Sequence, residues 1–173
     1  MTTAKSLPPV SSDDFKAGMR QLAAAVNVIT TDNDGEKVGL TATAACSVSV
    51  DPPQLLVCVN RSGYSHDFIE DAGSFCVNVL AIDQDKIARR FAGMDGSDRS
   101  QRFALGRWTT LATGAPALDG CLANFDCEIA STFEAATHSI FVGLVVGCRS
   151  VNVGEPLLFG DGRFARMAEL FDQ

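Results

Sequence analysis

The sequence predicts a mainly β fold, in which antiparallel strands form a barrel and a few helices lie at its periphery. Segments with a strand pattern outnumber helical segments, and the intervals between them are too short for repeated βαβ units. The stretch 121–133 shows the clearest period of two, which is typical of a strand with two different faces. Its apolar positions are Cys121, Ala123, Phe125, Cys127, Ile129 and Phe133, and its polar positions are Asn124, Asp126, Glu128 and Thr132.

The first helix is predicted to begin at Ser11 or Ser12, because either side chain can cap the first turn and Asp13 and Asp14 follow. The chain then becomes extended over 26–31 and meets a hairpin signal at 32–35, before it returns as one strand over 37–49. The apolar face predicted for the helix comprises Phe15, Met19, Leu22 and Val26.

The remaining elements follow from the same patterns. A short helix over 64–71 is ended by Gly73, and a second helix over 83–92 has Asp83 as its cap. The polar stretch 94–102 reads as a loop. Strands are predicted over 54–60, 74–80, 138–151, 157–159 and 163–165.

A chain of 173 residues favours one domain, which we place at residues 12–173 after a disordered lead at residues 1–11. No apolar run approaches the length of a membrane span, and the first residues lack the apolar core of a secretion signal. The net charge of −7 argues against binding nucleic acid or an anionic membrane. The six cysteines form no CxxC pair and most lie in apolar runs, so we expect buried free thiols in a reducing cytosol and no metal site.

The stretch TATAACSVSVDPPQ at residues 41–54 is rich in small side chains and ends abruptly at Asp51, Pro52 and Pro53. Small side chains allow a planar ligand or a phosphate to approach the backbone, and the hydroxyls of Thr41, Thr43 and Ser47 are then candidate donors. Neither proline has an N–H group, which accounts for the end of the strand. The alternative is a purely structural strand that crosses close to another element.

The chain resembles the short-chain flavin reductase family from about residue 15 to residue 164. The resemblance is carried by six segments in order: VNVITT (26–31), VGLTATAACSVSVDPP (38–53), FCVNVL (75–80), IARRFAG (87–93), PALDG (116–120) and HSIFVGLV (138–145). It implies an FMN-binding split barrel and an enzyme that passes hydride from NADH or NADPH to FMN or FAD. Dinucleotide binding would then not use a Rossmann half, since the sequence has no GxGxxG motif.

The resemblance also implies site residues. The segment that lines the flavin ring corresponds to Thr41, Ala42, Thr43, Ala44, Ala45, Cys46 and Ser47, and the segment that holds the flavin phosphate corresponds to Asn60, Arg61, Ser62 and Ser65. His138 corresponds to the position near the nicotinamide, where the family usually has Gly-Asp-His and this chain has Ala136, Thr137 and His138.

Each of these residues has a structural alternative. Ser62 could cap the helix that follows, Arg61 could be a solvated surface charge, and His138 could simply be hydrogen-bonded at a strand start. His66 could reach phosphate or merely solvent. The candidate cations for two anionic cofactors are Arg61, Arg89, Arg90, Arg163 and Arg166.

Three functions remain open from the sequence. The first is a reductase that supplies reduced flavin to a partner monooxygenase, similar to the reductase component of 4-hydroxyphenylacetate monooxygenase. The second is a corrinoid reductase, similar to the cob(II)yrinic acid a,c-diamide reductase of aerobic cobalamin biosynthesis, and the third is a non-enzymatic flavin-binding protein. The family, and an incomplete barrel with apolar strand faces to cover, also imply a homodimer.

Overall fold

The computed structural model describes residues 7–169 of the chain. The predicted disordered lead therefore lies partly outside the described residues, and so do residues 170–173 of the predicted domain. Within the lead, residues 7–10 form neither helix nor strand. Across residues 7–169, we find no helix with both the length and the apolar character needed to cross a membrane.

The fold is mainly β, as predicted, and every strand pairing is antiparallel. The helices are α1 (Ser12–Met19), α2 (Ser65–Ala72) and α3 (Asp85–Phe91), with 3₁₀ turns at Ile82–Gln84 and Arg99–Ala104. The strands are β1 (Ala24–Ala25), β2 (Asn27–Asn33), β3 (Glu36–Ala42), β4 (Ala45–Val50), β5 (Pro53–Asn60), β6 (Ser74–Val79), β7 (Trp108–Thr110), β8 (Pro116–Leu118), β9 (Ala123–Ala135), β10 (His138–Ser150), β11 (Leu158–Gly160) and β12 (Arg163–Ala165).

A seven-stranded sheet with the order β3-β2-β6-β9-β10-β5-β4 curls into the barrel. Its two edge strands, β3 and β4, are joined by only Thr43 and Ala44. A flat sheet would hold its two edges about 29 Å apart, six strand spacings, whereas this link spans at most about 10 Å. The prediction of a single strand over 37–49 is therefore wrong. The chain leaves one edge of the sheet at the end of β3 and enters the other edge at the start of β4.

Two apolar clusters lie on the two faces of this sheet, and alternate residues of β2 contribute to both. Ile29 joins the cluster inside the barrel, where side chains from β2, β5, β6, β9 and β10 meet. Val28 joins the second cluster, which packs beneath α3 with Phe91. Because β2 is buried on both faces, its polar residues Thr30 and Thr31 are fully buried too, and their hydroxyls donate to the carbonyls of Pro116 and Ser74.

The alternation predicted over 121–133 exists, but both faces of β9 are buried along its first half. Asn124 is 1% exposed and Asp126 is 0% exposed, because the short β7–β8 hairpin, which the sequence analysis did not predict, lies nearby. The carboxylate of Asp126 accepts hydrogen bonds from the amides of Ala112 and Thr113, both at 2.7 Å, and from the Thr113 hydroxyl at 2.6 Å. At the other end of the strand, Phe133 is 57% exposed rather than buried.

The first helix is capped by Ser11, whose hydroxyl oxygen accepts a hydrogen bond from the Asp14 amide, as predicted. However, α1 ends at Met19, and Phe15, Met19 and Leu22 are all exposed. Of the predicted apolar face, only Val26 is buried, and it lies between β1 and β2.

Local boundaries differ in two further places. The helix predicted over 83–92 starts as a 3₁₀ turn, and Asp83 is not its cap, since Gln84 Oε1 instead accepts from the Ala81 amide at 2.9 Å. The loop predicted over 94–102 contains the start of the 3₁₀ turn Arg99–Ala104.

All six cysteines are free, and Cys76, Cys121 and Cys127 are buried, as predicted. Cys58 is half-buried. The prediction of burial is wrong for Cys46 and Cys148, which are exposed because the stretches of β4 and β10 that carry them border an open cleft.

Candidate functional site

An apolar cleft of about 740 Å³ opens at the mouth of the barrel. Its walls come mainly from β4, β5, β6 and β10, with single residues or pairs from β1, β2, β9 and the β3–β4 link, and the described residues that line it include no charged side chain. Val77, Phe125 and Val145 form an apolar part of the wall. Val77 belongs to the cluster inside the barrel, and Phe125 and Val145 pack against that cluster. The volume lies within the range of roughly 300–1,000 Å³ that is usual for small-molecule sites.

Four of the seven residues predicted to line a flavin ring lie on this cleft: Thr43, Ala45, Cys46 and Ser47. The link between β3 and β4 positions them, because the Ala44 carbonyl accepts from the Cys58 amide and the Ala45 amide donates to the Thr43 carbonyl, both at 3.0 Å. Ala45 packs against the barrel cluster, whereas Ala44 is exposed and does not line the cleft.

The other predicted flavin residues have structural contacts. The Thr41 hydroxyl donates to the Ala88 carbonyl at 2.7 Å and thereby joins β3 to α3. Ala42 packs against the barrel cluster. The role of Thr41 and Ala42 as flavin contacts stays a prediction. The Thr41 hydroxyl proton is donated to the Ala88 carbonyl.

The cleft fits the ring system of a flavin. A flavin ring is planar and largely apolar, with polar atoms along its edge, and the cleft offers small apolar walls with the hydroxyls of Thr43, Ser47 and Ser49 among them. It does not fit a phosphate, since its described lining supplies no cation. A phosphorylated flavin in this cleft would have to place its phosphate outside it.

The predicted phosphate segment lines a separate polar cleft of about 590 Å³, together with residues of the β9–β10 turn. The Ser62 amide and hydroxyl both donate to Asn60 Oδ1 at 2.9 Å, so Ser62 closes a turn and does not cap α2. The Ser65 hydroxyl is buried and donates to the Gly39 carbonyl at 3.2 Å. The donors of this segment are therefore largely committed to the protein itself.

The charges of the polar cleft do not favour a phosphate. Arg61 pairs with Glu134 at 2.9 Å, and both side chains are exposed, which agrees with its reading as a surface charge. Asp67 and Glu70 also line this cleft. Because these carboxylates would repel an anion, phosphate binding by Asn60, Arg61 and Ser62 stays a prediction to which the cleft adds no support.

His138 begins β10 directly opposite Asn60 in the neighbouring strand β5. It is half-buried, and its Nδ1 lies 2.9 Å from the Thr137 hydroxyl. Ala136 has a φ of 51°, a left-handed conformation that suits glycine better than alanine. The turn thus keeps the backbone form that glycine would favour, and it holds His138 beside the segment that starts at Asn60.

A buried polar pair beside this turn was missed by sequence reasoning. His66 is 5% exposed, its Nε2 lies 2.8 Å from the Ser139 hydroxyl, and its Nδ1 lies 2.8 Å from Asp67 Oδ1. His66 therefore joins α2 to β10. Its burial contradicts the solvent alternative, whereas a contact with phosphate stays a prediction, since His66 also lines the polar cleft. No sequence signal relates His66 to Ser139, since 73 positions separate them. Atoms of His66, Asp67 and Glu70 that could bind a metal ion lie within 4.8 Å of one another. However, both ring nitrogens of His66 already have hydrogen-bond partners, Asp67 and Ser139.

Comparison with known proteins gives a consistent result. The family described as "Flavin reductase like domain" matches residues 19–168. The FMN reductase (NADH) RutF of Stutzerimonas stutzeri is 44% identical over 139 residues, which cover 80% of this chain and 79% of that protein. RutF of Ancylobacter novellus is 38% identical over 165 residues, which cover 95% of this chain and 90% of that protein.

A solved structure supports the same assignment. BorF, the flavin reductase component of a bacterial two-component tryptophan halogenase, has a TM-score of 0.83 and 33% identity, over 92% of this chain and all of BorF. The match of the family over residues 19–168, with relatives of this identity and coverage, shows that the chain belongs to the flavin reductase like domain family.

Proposed function

We propose that this protein is an NADH-dependent flavin reductase, which transfers hydride from NADH to FMN or FAD. The observation that carries the proposal is the apolar cleft of 740 Å³, lined by the small residues of the β3–β4 link and β4. Its shape and its uncharged lining suit a flavin ring, and the chain belongs to a family whose members include NADH-dependent FMN reductases. The relatives named as NADH-dependent enzymes weigh against a protein that merely stores flavin.

The roles of the chain are binding, orientation and exclusion of water. Ala45, Cys46 and Ser47 hold the ring through close backbone approach and small side chains. His138, at the start of β10, orients the nicotinamide. When bound, the flavin supplies the hydride acceptor, so the protein needs no acid–base pair of its own for the transfer.

The test is direct. Purified protein titrated with FMN should perturb the flavin absorbance and quench its fluorescence, and it should consume NADH steadily when flavin is added. FAD and NADPH titrated in parallel establish the preferences, and we expect NADH to be preferred because the RutF relatives are named as NADH enzymes. A protein that binds neither flavin and consumes neither nicotinamide would refute the proposal.

We propose further that the reduced flavin serves a partner monooxygenase. BorF is the reductase component of a two-component halogenase, and this structure matches it over nearly the whole chain. Mixing the protein with a flavin-dependent monooxygenase encoded near it should couple NADH consumption to oxygenated product. The corrinoid reductase stays an alternative, for which cob(II)yrinic acid a,c-diamide would be the assayed acceptor.

We also propose a homodimer in the cytosol. On the face of the sheet opposite the barrel interior, a row of apolar side chains on β5 and β10 remains partly exposed: Leu56, Cys58, Ile140, Val142 and Leu144. A second copy would bury this row, which we call the outer apolar face. Six free cysteines support a reducing compartment.

A further inference from the structure

The turn between β9 and β10 departs from the flavin reductase pattern at the residue before His138. The family usually has aspartate there, and this chain has Thr137. An ionised carboxylate can only accept hydrogen bonds, whereas a hydroxyl can donate one and accept others. The exchange therefore changes which hydrogen bonds residue 137 can make with the histidine that follows it.

The backbone around His138 is fixed by neighbouring elements. The Arg61 amide donates to the Thr137 carbonyl at 3.0 Å. On the other side of His138, the hydroxyl of the buried Ser139 lies 2.8 Å from His66 Nε2. Because partners outside the turn hold both flanking residues, the backbone position of His138 does not depend on the Thr137 side chain.

The imidazole of His138, by contrast, depends on that side chain. Its Nδ1 lies 2.9 Å from the Thr137 hydroxyl, and within residues 7–169 this is the one hydrogen bond of the ring. In the same part of the chain, the only histidine within 4.0 Å of a carboxylate oxygen is His66, beside Asp67. The Thr137 hydroxyl is thus the contact that can orient the His138 ring, and Nε2 stays available to a ligand.

This contact also bears on the tautomer of His138. A neutral imidazole has one N–H group and one acceptor nitrogen, and the partner of one nitrogen sets the state of the other. An ionised aspartate at position 137 would require a proton on Nδ1, because a carboxylate cannot donate. The Thr137 hydroxyl can donate to Nδ1, and the ring proton then lies on Nε2 without a positive charge on the ring.

We propose that Thr137 is a positioning residue for His138, whose hydroxyl donates to Nδ1 and holds the neutral ring with Nε2–H toward the nicotinamide. The carboxamide oxygen of a nicotinamide is an acceptor for such an N–H group. The inference rests on the proposed function, since that function brings the nicotinamide to His138. The tautomer itself is a property of the protein without ligands.

The tautomer is measured first, in ligand-free protein at alkaline pH. The chain has only two histidines, so the ring signals of His138 are those that disappear in His138→Ala, and His66 is the internal reference. Long-range proton–nitrogen correlation spectra of isotope-labelled protein show which ring nitrogen is protonated. We expect a protonated Nε2 in wild type and Thr137→Ser, both tautomers in Thr137→Val, and a protonated Nδ1 in Thr137→Asp.

The effect on the reaction is measured by stopped-flow reduction of bound flavin by NADH. Thr137→Val, which lacks the hydroxyl, should slow reduction about fivefold, whereas Thr137→Ser should stay within about twofold of wild type. If Thr137 acts through His138, Thr137→Val causes no further slowing in a His138→Ala background. Thr132→Val is the matched control, because Thr132 is an exposed residue of the same hairpin, and it should change neither the rate nor flavin affinity.

A protonated Nδ1 in wild-type protein would overturn the proposal. Equal slowing by Thr137→Val with and without His138 would overturn it as well, and so would equal losses in Thr137→Val and Thr137→Ser. A wild-type protein that does not oxidise NADH would instead refute the proposed function. The spectra of the ligand-free protein would even then test the contact between Thr137 and His138.

Discussion

At the residue scale, neighbouring small residues of the β3–β4 link differ in the direction of their side chains. Ala45 lines the apolar cleft, whereas Ala44 is exposed and contributes its carbonyl to the Cys58 amide. Sequence alone assigned both to one flavin-lining stretch. The structure separates a residue that can contact a ring in the cleft from a residue whose side chain can change freely.

Ala45→Phe is therefore expected to block flavin binding. The added ring would fill the cleft mouth, and overpacking of this kind costs about 1–3 kcal/mol of stability, so the fold should survive. Flavin titration and thermal unfolding measure the two effects. Ala44→Phe is the control and should retain flavin affinity; if Ala45→Phe binds flavin as tightly as wild type does, the cleft is not the ring site.

The nicotinamide role proposed for His138 can be tested separately from flavin binding. His138→Ala should leave flavin affinity and the melting temperature nearly unchanged but slow the reduction of bound flavin by NADH about tenfold, a loss of roughly 1.4 kcal/mol in transition-state stabilisation. Stopped-flow reduction over a range of NADH concentrations measures it. A wild-type rate at every concentration would remove His138 from the site, and recovery at saturating NADH would assign it a role in binding only.

At the scale of elements, one carboxylate anchors a loop to the barrel. Asp126 on β9 is fully buried, and its three hydrogen bonds to Ala112 and Thr113 hold the segment between β7 and β8. Asn124 on the same strand is buried too and donates to Asn78 Oδ1 at 2.7 Å. A buried, fully bonded polar face is thus what attaches the small β7–β8 hairpin to the main sheet.

Asp126→Ala should destabilise the protein by about 2–4 kcal/mol, because it leaves buried donors of the loop without an acceptor. Urea unfolding measures the free energy. Glu128→Ala, two positions along the same strand at an exposed site, should change it by no more than about 0.5 kcal/mol. Equal stabilities of the two variants would show that the loop does not depend on Asp126.

At the scale of the whole molecule, the thiols divide into accessible and inaccessible groups. Burial raises the pKa of Cys121 to about 11 and that of Cys127 to about 12, and it raises the pKa of Cys76 further still. The thiolate is the reactive form, so at a pH near 8, well below these pKa values, the three stay protonated as well as shielded.

Alkylation of native protein near pH 8 should therefore modify Cys46 and Cys148 first, Cys58 more slowly, and Cys76, Cys121 and Cys127 only after unfolding. Peptide mass spectrometry over time identifies the modified residues. Because Cys46 and Cys148 both line the apolar cleft, saturating FMN should slow their modification. Rapid modification of Cys127 in native protein, or no protection by FMN, would contradict this expectation.

The outer apolar face predicts the oligomeric state. Val142→Asp places a charge in the centre of that face, and it should convert a dimer to a folded monomer because a buried unpaired charge opposes association. Light scattering measures the mass, with circular dichroism as the check on folding. Val153→Asp is the control, since Val153 is 87% exposed in a loop, and it should remain dimeric. A Val142→Asp dimer as stable as wild type would place the interface elsewhere.

The sequence by itself determined the local structure of this protein. The β2–β3 hairpin follows from Asp34 and Gly35, both of which have positive φ, the Ser11 cap follows from its own side chain, and β5 and β10 follow from their apolar patterns. These features depend on residues within a few positions of one another, so short-range chemistry suffices. The family segments also predicted the activity, because their order and spacing are themselves properties of the sequence.

Only the tertiary structure decided which faces are covered and which side chains meet. It divided 37–49 between the two edges of the sheet, buried Asp126 beneath the β7–β8 segment and exposed Cys46 at the cleft. It paired His66 with Ser139 and brought Arg102 to Gly39, 63 positions away. Such contacts form when the whole sheet closes, and their energies depend on distance and burial that no local pattern encodes.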